Sequence, residues 1–321
     1  MYPNNIRKAL AIAVVTLTAL LIGGTATVAR ATVNNAISIA ANNQLTPTIA
    51  SDGSGGAIIT WQDLRSGTAD IYAQRINASG AVQWTADGVA ISTAANSQSL
   101  PSITSDGSGG AIITWNDLRG DGVISNIYAQ RINASGVVQW TEDGVAISTT
   151  MTNPQYPPQI VGDGSGGAII AWWDGRFGNS DVYAQRINAS GIVLWTADGV
   201  AITPTAANGQ EFPTMASDGS GGAIIAWQDN RNNNNGISDI YAQRIDAGGV
   251  VQWTADGVAI STAANSQSLP SITSDGSGGA IITWNDLRGD GVISNIYAQR
   301  INASGVVQWT ADGEAISTTM T

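Results

Sequence analysis

The sequence has 321 residues and contains neither cysteine nor histidine. The lack of cysteine excludes disulfides and thiolate metal sites, and the lack of histidine removes the most common general base and metal ligand. With 38 glycines and only 12% charged residues, the composition favours a turn-rich β protein over a helical one.

The first 31 residues have the pattern of a signal peptide. Arg7 and Lys8 form a basic start, residues 9–22 are apolar, and Ala29-Arg30-Ala31 fits an A-x-A cleavage site. The apolar stretch is short for a membrane span, and an uncleaved N-terminal anchor is the alternative. We therefore predict a secreted or cell-surface protein with no membrane insertion after cleavage.

The chain beyond residue 31 is strongly acidic. It has ten arginines, no lysine and 24 carboxylates, which gives a net charge of −14. Such a surface repels nucleic acid and anionic lipid, so neither is expected as a main partner. A glycan or an extracellular protein is the expected kind of partner.

Five near-copies of one unit fill the rest of the sequence. The first copy carries SDGSGGAIITW at residues 51–61 and DIYAQRI at residues 70–76, and both strings recur in every unit. Self-similarity of this strength indicates a repeat architecture. A proline opens each unit, and the predicted units of a five-repeat domain over residues 47–321 are 47–100, 101–157, 158–212, 213–269 and 270–321. Residues 32–46 are predicted to be an N-terminal closing strand and linker.

Turn sequences such as Asp-Gly-Ser-Gly-Gly and Asn-Ala-Ser-Gly divide each unit into short strands. Ala57-Ile58-Ile59 is apolar on both faces, which fits a sheet packed between two other sheets. We count five strand candidates per unit, one more than a typical propeller blade, the extra one being a short Ala-Ile-Ser segment. The predicted fold class is an all-β, five-bladed β-propeller with about four antiparallel strands per blade. An incomplete larger propeller is the second choice, and an open solenoid is the third.

Every arginine beyond residue 31 sits at one of two repeat positions. In the W-x-D-x-R motif the aspartate and arginine are two residues apart and share a strand face, so we expect structural ion pairs. The alternative is a ring of arginines that binds an acidic ligand. The predicted pairs are Asp63 with Arg65, Asp117 with Arg119, Asp174 with Arg176, Asp229 with Arg231, and Asp286 with Arg288.

Ten of the eleven tryptophans form two repeat series, which begin at Trp61 and Trp84. We expect the Trp61 series in the core, and the Trp84 series is open between core packing and stacking on sugar rings. The Asp-Gly-Ser-Gly-Gly loop offers one carboxylate, too few for a calcium site. No metal ion and no cofactor are predicted.

Residues that break the repeat symmetry are better candidates for a specific site. Trp173 is the one tryptophan outside the two series, and Phe177, Glu211 and Phe212 also depart from the repeat consensus. Tyr156 lies in a lengthened connector. We predict that these five residues form an aromatic ligand-binding rim, with drift in exposed loops as the alternative.

The string S-D-G-S-G-G-A-I-I-x-W resembles the Asp-box of BNR-repeat, sialidase-like propellers, and the whole repeat is similar to secreted bacterial repeat proteins. The resemblance implies a propeller fold with the box as a structural turn. Sialidases of that family use an arginine triad, a Tyr–Glu pair and an aspartic acid from different blades. None of these carries over to a matching position here, so no catalytic residue is predicted.

These observations lead to an expectation about function. We expect a binding or interaction module that recognises carbohydrate, without catalysis. One alternative is a sialidase-like glycoside hydrolase, which needs paired carboxylates in one cleft. The other is a purely structural surface repeat.

Overall fold

The computed structural model describes residues 35–150, 155, 157–232 and 236–317. Within these ranges the regular structure consists of strands joined by turns, and no helix is present. Accordingly, the described part of the chain has no helix long and apolar enough to cross a membrane.

In the part of the chain that the structure describes, twenty strands fall into five sheets of four, which we call blades 1 to 5. Blade 1 contains β1 Gln44–Ser51, β2 Ala57–Asp63, β3 Asp70–Ile76 and β4 Val89–Ser92. Blade 2 contains β5 Gln98–Ser105, β6 Ala111–Asp117, β7 Asn126–Ile132 and β8 Val145–Ser148. Blade 3 contains β9 Gln159–Gly162, β10 Ala168–Asp174, β11 Asp181–Ile187 and β12 Val200–Ala201. Blade 4 contains β13 Gln210–Ser217, β14 Ala223–Asp229, β15 Asp239–Ile245 and β16 Val258–Ser261. Blade 5 contains β17 Gln267–Ser274, β18 Ala280–Asp286, β19 Asn295–Ile301 and β20 Glu314–Ser317.

In every blade the strands pair in chain order and antiparallel to their neighbours. Antiparallel neighbours in sequence order need only short connections, which the glycine-rich turns provide. This arrangement confirms the predicted fold class of an all-β propeller with five four-stranded blades.

The turn between the first two strands is built around one aspartate. Asp52 Oδ1 accepts hydrogen bonds from the backbone N–H groups of Ser54 and Gly56, both at 2.8 Å. The backbone at Gly53 and Gly55 has φ of 72° and 83°, a region that glycine enters without steric cost. Arg75 Nη2 binds the other carboxylate oxygen at 2.8 Å and ties the turn to the third strand.

Of the five strand candidates in each unit, four form the blade, in agreement with the predicted number of strands. The Ala-Ile-Ser segment is the fourth strand, whereas the segment around Val82 forms a single bridge with Ile76. The cause is the Gln74 side chain, whose Oε1 accepts from the N–H of Trp84 at 2.9 Å and whose Nε2 donates to the Thr85 carbonyl at 2.8 Å. These bonds hold the segment against the side chain and end the ladder.

The chain start also differs from the predicted boundaries. Strand β1 begins at Gln44, ahead of Pro47, so residues 44–46 belong to blade 1 and not to a closing segment. Residues 35–43 form no strand, and β20 supplies the fourth strand of blade 5. Among the described residues 35–46, none adds a strand to blade 5.

Consecutive blades pack face to face through apolar clusters. One face of blade 1, with Ile58, Ile71 and Ile91, packs against Ile113 and Trp115 of blade 2. We call the face of a blade that packs against the following blade its leading face, and the face that packs against the preceding blade its receiving face. The same contact recurs between blades 2 and 3, 3 and 4, and 4 and 5. Trp115, Trp172, Trp227 and Trp284 lie in these interfaces, and all five tryptophans of the Trp61 series are at most 3% exposed, which confirms the predicted core role of the series.

The Trp84 series connects each blade to the next. Trp84 Nε1 donates to the Ala134 carbonyl of blade 2 at 3.0 Å, and Arg75 Nη1 donates to the same oxygen at 3.0 Å. The indole ring lies over Gly136, where a Cβ atom would come within 2.8 Å of it. The equivalent indole bonds run from Trp140 to Ala189, from Trp195 to Ala247, and from Trp253 to Ala303.

Gly136→Ala is expected to lower the free energy of unfolding much more than Gly80→Ala. Both glycines have φ near 80°, which costs any side chain about 1 kcal/mol. Only at Gly136 does the new methyl group also collide with an indole, which adds about 1–3 kcal/mol of overpacking. Urea denaturation followed by tryptophan fluorescence measures the difference, and equal losses in the two variants would contradict the packing of Trp84 on Gly136.

Candidate functional site

Exposed corners on the first strands of the blades form the surface of interest. Each corner is a residue in front of a proline: Thr46, Leu100, Phe212 and Leu269 have φ between 48° and 53°. These β-bulge positions interrupt the pairing of the first and second strands, for example between Glu211 and Thr214. Because non-glycine residues rarely adopt positive φ, the corners hold exposed side chains in a strained and well-defined direction.

A pocket of about 540 Å³ lies among the corners of blades 3, 4 and 5. Its walls are mainly apolar, with one polar amide from Gln159, and its size suits a small organic ligand. The lining residues are Pro157, Gln159, Trp173, Phe212, Pro213, Thr214, Leu269 and Pro270.

Two of the predicted ligand-binding residues meet in this pocket. Trp173 lies at the end of β10, and its ring centroid is 5.7 Å from that of Phe212 at an interplanar angle of 54°. Phe212 is 47% exposed. Aromatic rings at this distance and tilt attract each other.

Two acidic residues, Glu211 and Asp181, lie at the junction of blades 3 and 4 but outside the lining of this pocket. The backbone N–H of Gln210 donates to the Ser180 carbonyl at 2.7 Å. Glu211 directly follows Gln210 in the chain, and Asp181 directly follows Ser180. Glu211 is partly exposed, whereas Asp181 is buried.

Asp181 has an unusual electrostatic environment. It is directly opposite Asp174 in the β10–β11 pairing, and Trp173 is paired with the next residue, Val182. Burial raises the pKa of Asp181 to about 6, and the negative charge of Asp174 adds to this rise. A carboxylic acid that holds its proton close to neutral pH can act as a proton donor.

Asp174 itself is held in a different state. Trp172 Nε1 donates to one carboxylate oxygen at 2.9 Å, and Arg176 binds the group through Nε and Nη2. A guanidinium in this arrangement stabilises the charged carboxylate. The two facing aspartates therefore have different environments: Asp174 is bound by Trp172 and Arg176, whereas burial raises the pKa of Asp181.

Sequence reasoning did not select Asp181. The repeat position has aspartate in blades 1, 3 and 4, as Asp70, Asp181 and Asp239, and asparagine in blades 2 and 5. Blade 3 also differs by Thr203, whose Oγ1 accepts from the Val182 N–H at 3.1 Å, and by a fourth strand of only two residues. These departures from the repeat were the available signal.

The other predicted ligand-binding residues are not in the pocket wall. Phe177 is 82% exposed in the loop after β10. Glu211 lies beside Phe212 in the chain, and Tyr156 lies outside the described residues. The structure thus brings Trp173 and Phe212 together, places Glu211 next to them, and leaves Phe177 apart.

The five predicted Asp–Arg pairs of the W-x-D-x-R motif are ion pairs in the structure, with N–O distances of 2.5–2.7 Å. In blade 1, Arg65 also donates to the Asp87 carbonyl at 2.7 Å and lies 3.8 Å above the Tyr72 ring. The aspartate, the carbonyl and the ring surround the guanidinium. All ten arginines of the described residues pair with an aspartate, so no ring of unpaired arginines is available to an acidic ligand.

A second pocket, of about 570 Å³, lies at the opposite ends of the strands, between the glycine-rich turns of blades 2 and 3. Its two charged lining residues, Asp106 and Arg131, are bound to each other at 2.9 Å. Because these two charged side chains bind each other, this pocket is a weaker candidate for a ligand site than the pocket beside Trp173. In the described residues no group of three or more acidic side chains is placed to hold a metal ion.

No protein-family model matches the sequence, and no curated protein is similar to it. Solved structures do share its fold. A protein of unknown function from Dyadobacter fermentans has a TM-score of 0.52 and 10% identity, covering 85% of this chain and 81% of its own. An α-L-arabinanase from Penicillium chrysogenum, complexed with arabinobiose, has a TM-score of 0.49 and 12% identity, covering 82% and 91%.

A Hadza microbial sialidase, Hz136, has a TM-score of 0.49 and 14% identity. The match covers 84% of this chain but only 57% of the sialidase. The neighbours are consistent with the sialidase-like propeller fold that the sequence resemblance implied. At these identities the likeness concerns the fold alone.

The comparisons correct the expected function. The similar structures are mostly arabinanases and arabinofuranosidases, which are glycoside hydrolases. None of the similar structures named here with a stated activity is a binding module without catalysis, which is what the sequence led us to expect. The expectation of a carbohydrate ligand is consistent with them.

Because the pKa of Asp181 is raised, Asp181→Asn is expected to increase the stability of the folded chain by an amount that depends on pH. In the unfolded chain this carboxyl titrates near its ordinary pKa of about 4, and in the folded chain near 6. The wild type therefore loses stability as the pH rises through this window, whereas the variant does not. Relative to wild type, the variant should gain about 2–3 kcal/mol between about pH 4 and pH 8.

Denaturant titrations at several pH values measure this difference. Asparagine is the natural residue at this position in blades 2 and 5, so the substitution suits the fold. An NMR titration of the Asp181 carboxyl carbon gives the midpoint directly. Parallel stability profiles, together with a midpoint near 4, would show that the carboxyl is not in a desolvated environment.

Proposed function

We propose that this protein is a propeller glycoside hydrolase whose site lies at the junction of blades 3 and 4. The observation that carries the proposal is the buried, proton-retaining Asp181 in the same blade as Trp173, whose ring contacts the exposed Phe212 in a pocket. Glycosidic bond hydrolysis needs a carboxylic acid to protonate the leaving oxygen, together with a second carboxylate. An aromatic surface next to them supplies the binding face for a sugar ring.

Asp181 is the proton donor in this proposal. A raised pKa allows the acid to hold a proton near neutral pH and to release it to the leaving group oxygen. Glu211 is the second carboxylate, because it is partly exposed and lies across the Gln210–Ser180 hydrogen bond from Asp181. Asp174 is unsuited to that role, since it is fully buried and bound by Trp172 and Arg176.

The substrate in this proposal is a neutral saccharide. Recognition of an anionic sugar such as a sialoside needs a guanidinium that is free to bind its carboxylate. The ten arginines of the described chain are all paired with aspartates, and the net charge of the whole chain is −11. Arabinobiose bound to the Penicillium chrysogenum α-L-arabinanase is one neutral saccharide of this kind.

Secretion is part of the same proposal. The basic, apolar and A-x-A elements of residues 1–31 support export, and extracellular polysaccharide is where a secreted glycosidase finds its substrate. The Asp52 turn, with its two backbone N–H bonds and its arginine, supports an Asp-box-like role for the repeated string.

The test is hydrolysis of a panel of arabino-oligosaccharides, nitrophenyl α-L-arabinofuranoside, other neutral glycosides and a sialoside. We expect turnover of a neutral member and none of the sialoside. Asp181→Asn should lower kcat by about 100-fold or more, because it removes the proton donor. Trp173→Ala should act mainly by raising KM, because it removes the binding face for the sugar.

Asp70→Asn is the matched control. Asp70 occupies the same repeat position in blade 1, opposite Asp63, and burial raises its pKa as well. It is remote in the chain from the Trp173 pocket, so its activity should equal that of the wild type. The proposal is abandoned if no glycoside on the panel is hydrolysed, or if Asp181→Asn and Asp70→Asn have the same activity.

A further inference from the structure

The segment just before strand β13 contains an asparagine followed by a glycine, Asn208-Gly209. Asparagine is a chemically labile residue, and a glycine after it leaves the next backbone N–H unshielded because glycine has no Cβ. The equivalent segments of blades 2 and 5 have serine instead, at Ser97 and Ser266. Of the residues that the structure describes, these two form the one Asn–Gly pair.

The asparagines at this repeat position in blades 2, 4 and 5 have the same local structure. Asn96, Asn208 and Asn265 have φ angles of 62°, 57° and 61°. In each of them Nδ2 donates at 3.2 Å to the carbonyl of the residue after the second strand. All three are partly or fully exposed. Asn208 therefore differs from its counterparts in what surrounds it, and not in its own conformation.

A second departure from the repeat places a carboxylate beside this pair. Glu211 occupies the position of Ser99 and Ser268 in blades 2 and 5. A Cβ atom at Gly209 would lie 3.1 Å from Glu211 Oε1, so the carboxylate lies against the residue whose N–H would react. Glu211 is partly exposed, and its side chain accepts no hydrogen bond from the described residues. It is therefore available as a base.

We propose that Asn208 is a site of spontaneous deamidation, with Glu211 as the base. The carboxylate takes the proton of the Gly209 N–H while that nitrogen attacks Cγ of Asn208. The new C–N bond closes a succinimide ring. The bond from Cγ to Nδ2 breaks, and Nδ2 leaves as ammonia with the proton that Glu211 returns. Water then opens the ring at either carbonyl and gives aspartate or isoaspartate at position 208.

The modification changes the entry to β13, the strand that carries Phe212. Asn208 Nδ2 donates to the Asn230 carbonyl, and the Asn230 N–H donates to the Gly209 carbonyl at 2.9 Å. A carboxylate at position 208 has no proton to donate to that carbonyl, so the first bond is lost. Isoaspartate also lengthens the main chain by a carbon just ahead of Gln210, whose N–H binds a blade 3 carbonyl. Deamidation thus alters the corner in the Trp173 pocket, independently of the proposed hydrolase activity.

The test follows single asparagines by peptide mapping and mass spectrometry while the folded protein is kept at mildly alkaline pH. Asn208 should deamidate at least about tenfold faster than Asn96 and Asn265 of the same molecule, because its neighbouring N–H is unshielded. Gly209→Ser copies blades 2 and 5 and should lower the rate at Asn208 to that of Asn96. Circular dichroism is the control for folding.

Glu211→Gln tests the base. In the folded protein this variant should slow deamidation of Asn208 by about threefold or more, because a glutamine amide does not take up the proton. In urea the variant and the wild type should react at the same rate, since the carboxylate is no longer held against Gly209. The proposal is overturned if Asn208 is as durable as Asn96, or if folded Glu211→Gln reacts as fast as the wild type. It is also overturned if the two differ in urea as much as they do when folded.

Discussion

The structure depends on packing between consecutive blades. Blades 2 to 5 each place a tryptophan of the Trp61 series in the interface with the preceding blade, and each buried indole contributes on the order of 4–6 kcal/mol as an upper bound. A sheet with two apolar faces buries both of them only when it has a neighbour on each side, as blades 2, 3 and 4 have. The Trp84 series fixes the position of each contact, because an indole N–H must reach a carbonyl that the next blade offers above a glycine.

Repetition and its interruptions have different roles. The paired Asp63 and Arg65 recur in all five blades, and so does the Gln74 clamp on the segment after the third strand. Such features serve what every blade needs, which is the closing of strand ends and the attachment to a neighbour. The candidate site arises where the repeat is broken, at Trp173 and Phe212.

The fold was predictable from the sequence because the repeat fixes strand number and turn chemistry together. The interpretation failed where a side chain controls the backbone: the segment around Val82 looks like a strand, but the Gln74 amide draws it out of the ladder. The contact between Trp173 and Phe212 could be anticipated only in part, because both residues depart from the repeat but no sequence pattern places their rings together. Asp181 was missed because its significance lies in burial opposite Asp174, a cross-strand relation that depends on register.

Hydrogen exchange of the indole N–H groups in dilute solution tests the account most directly, because it reports each inter-blade contact separately. The account predicts slow exchange for Trp84, Trp140, Trp195 and Trp253, whose protons are bonded to the next blade, and fast exchange for Trp309. Equal protection of all five would contradict it, since the last blade would then have a neighbour that this structure does not give it. Fast exchange of all five would show that the blades are not joined through these indoles.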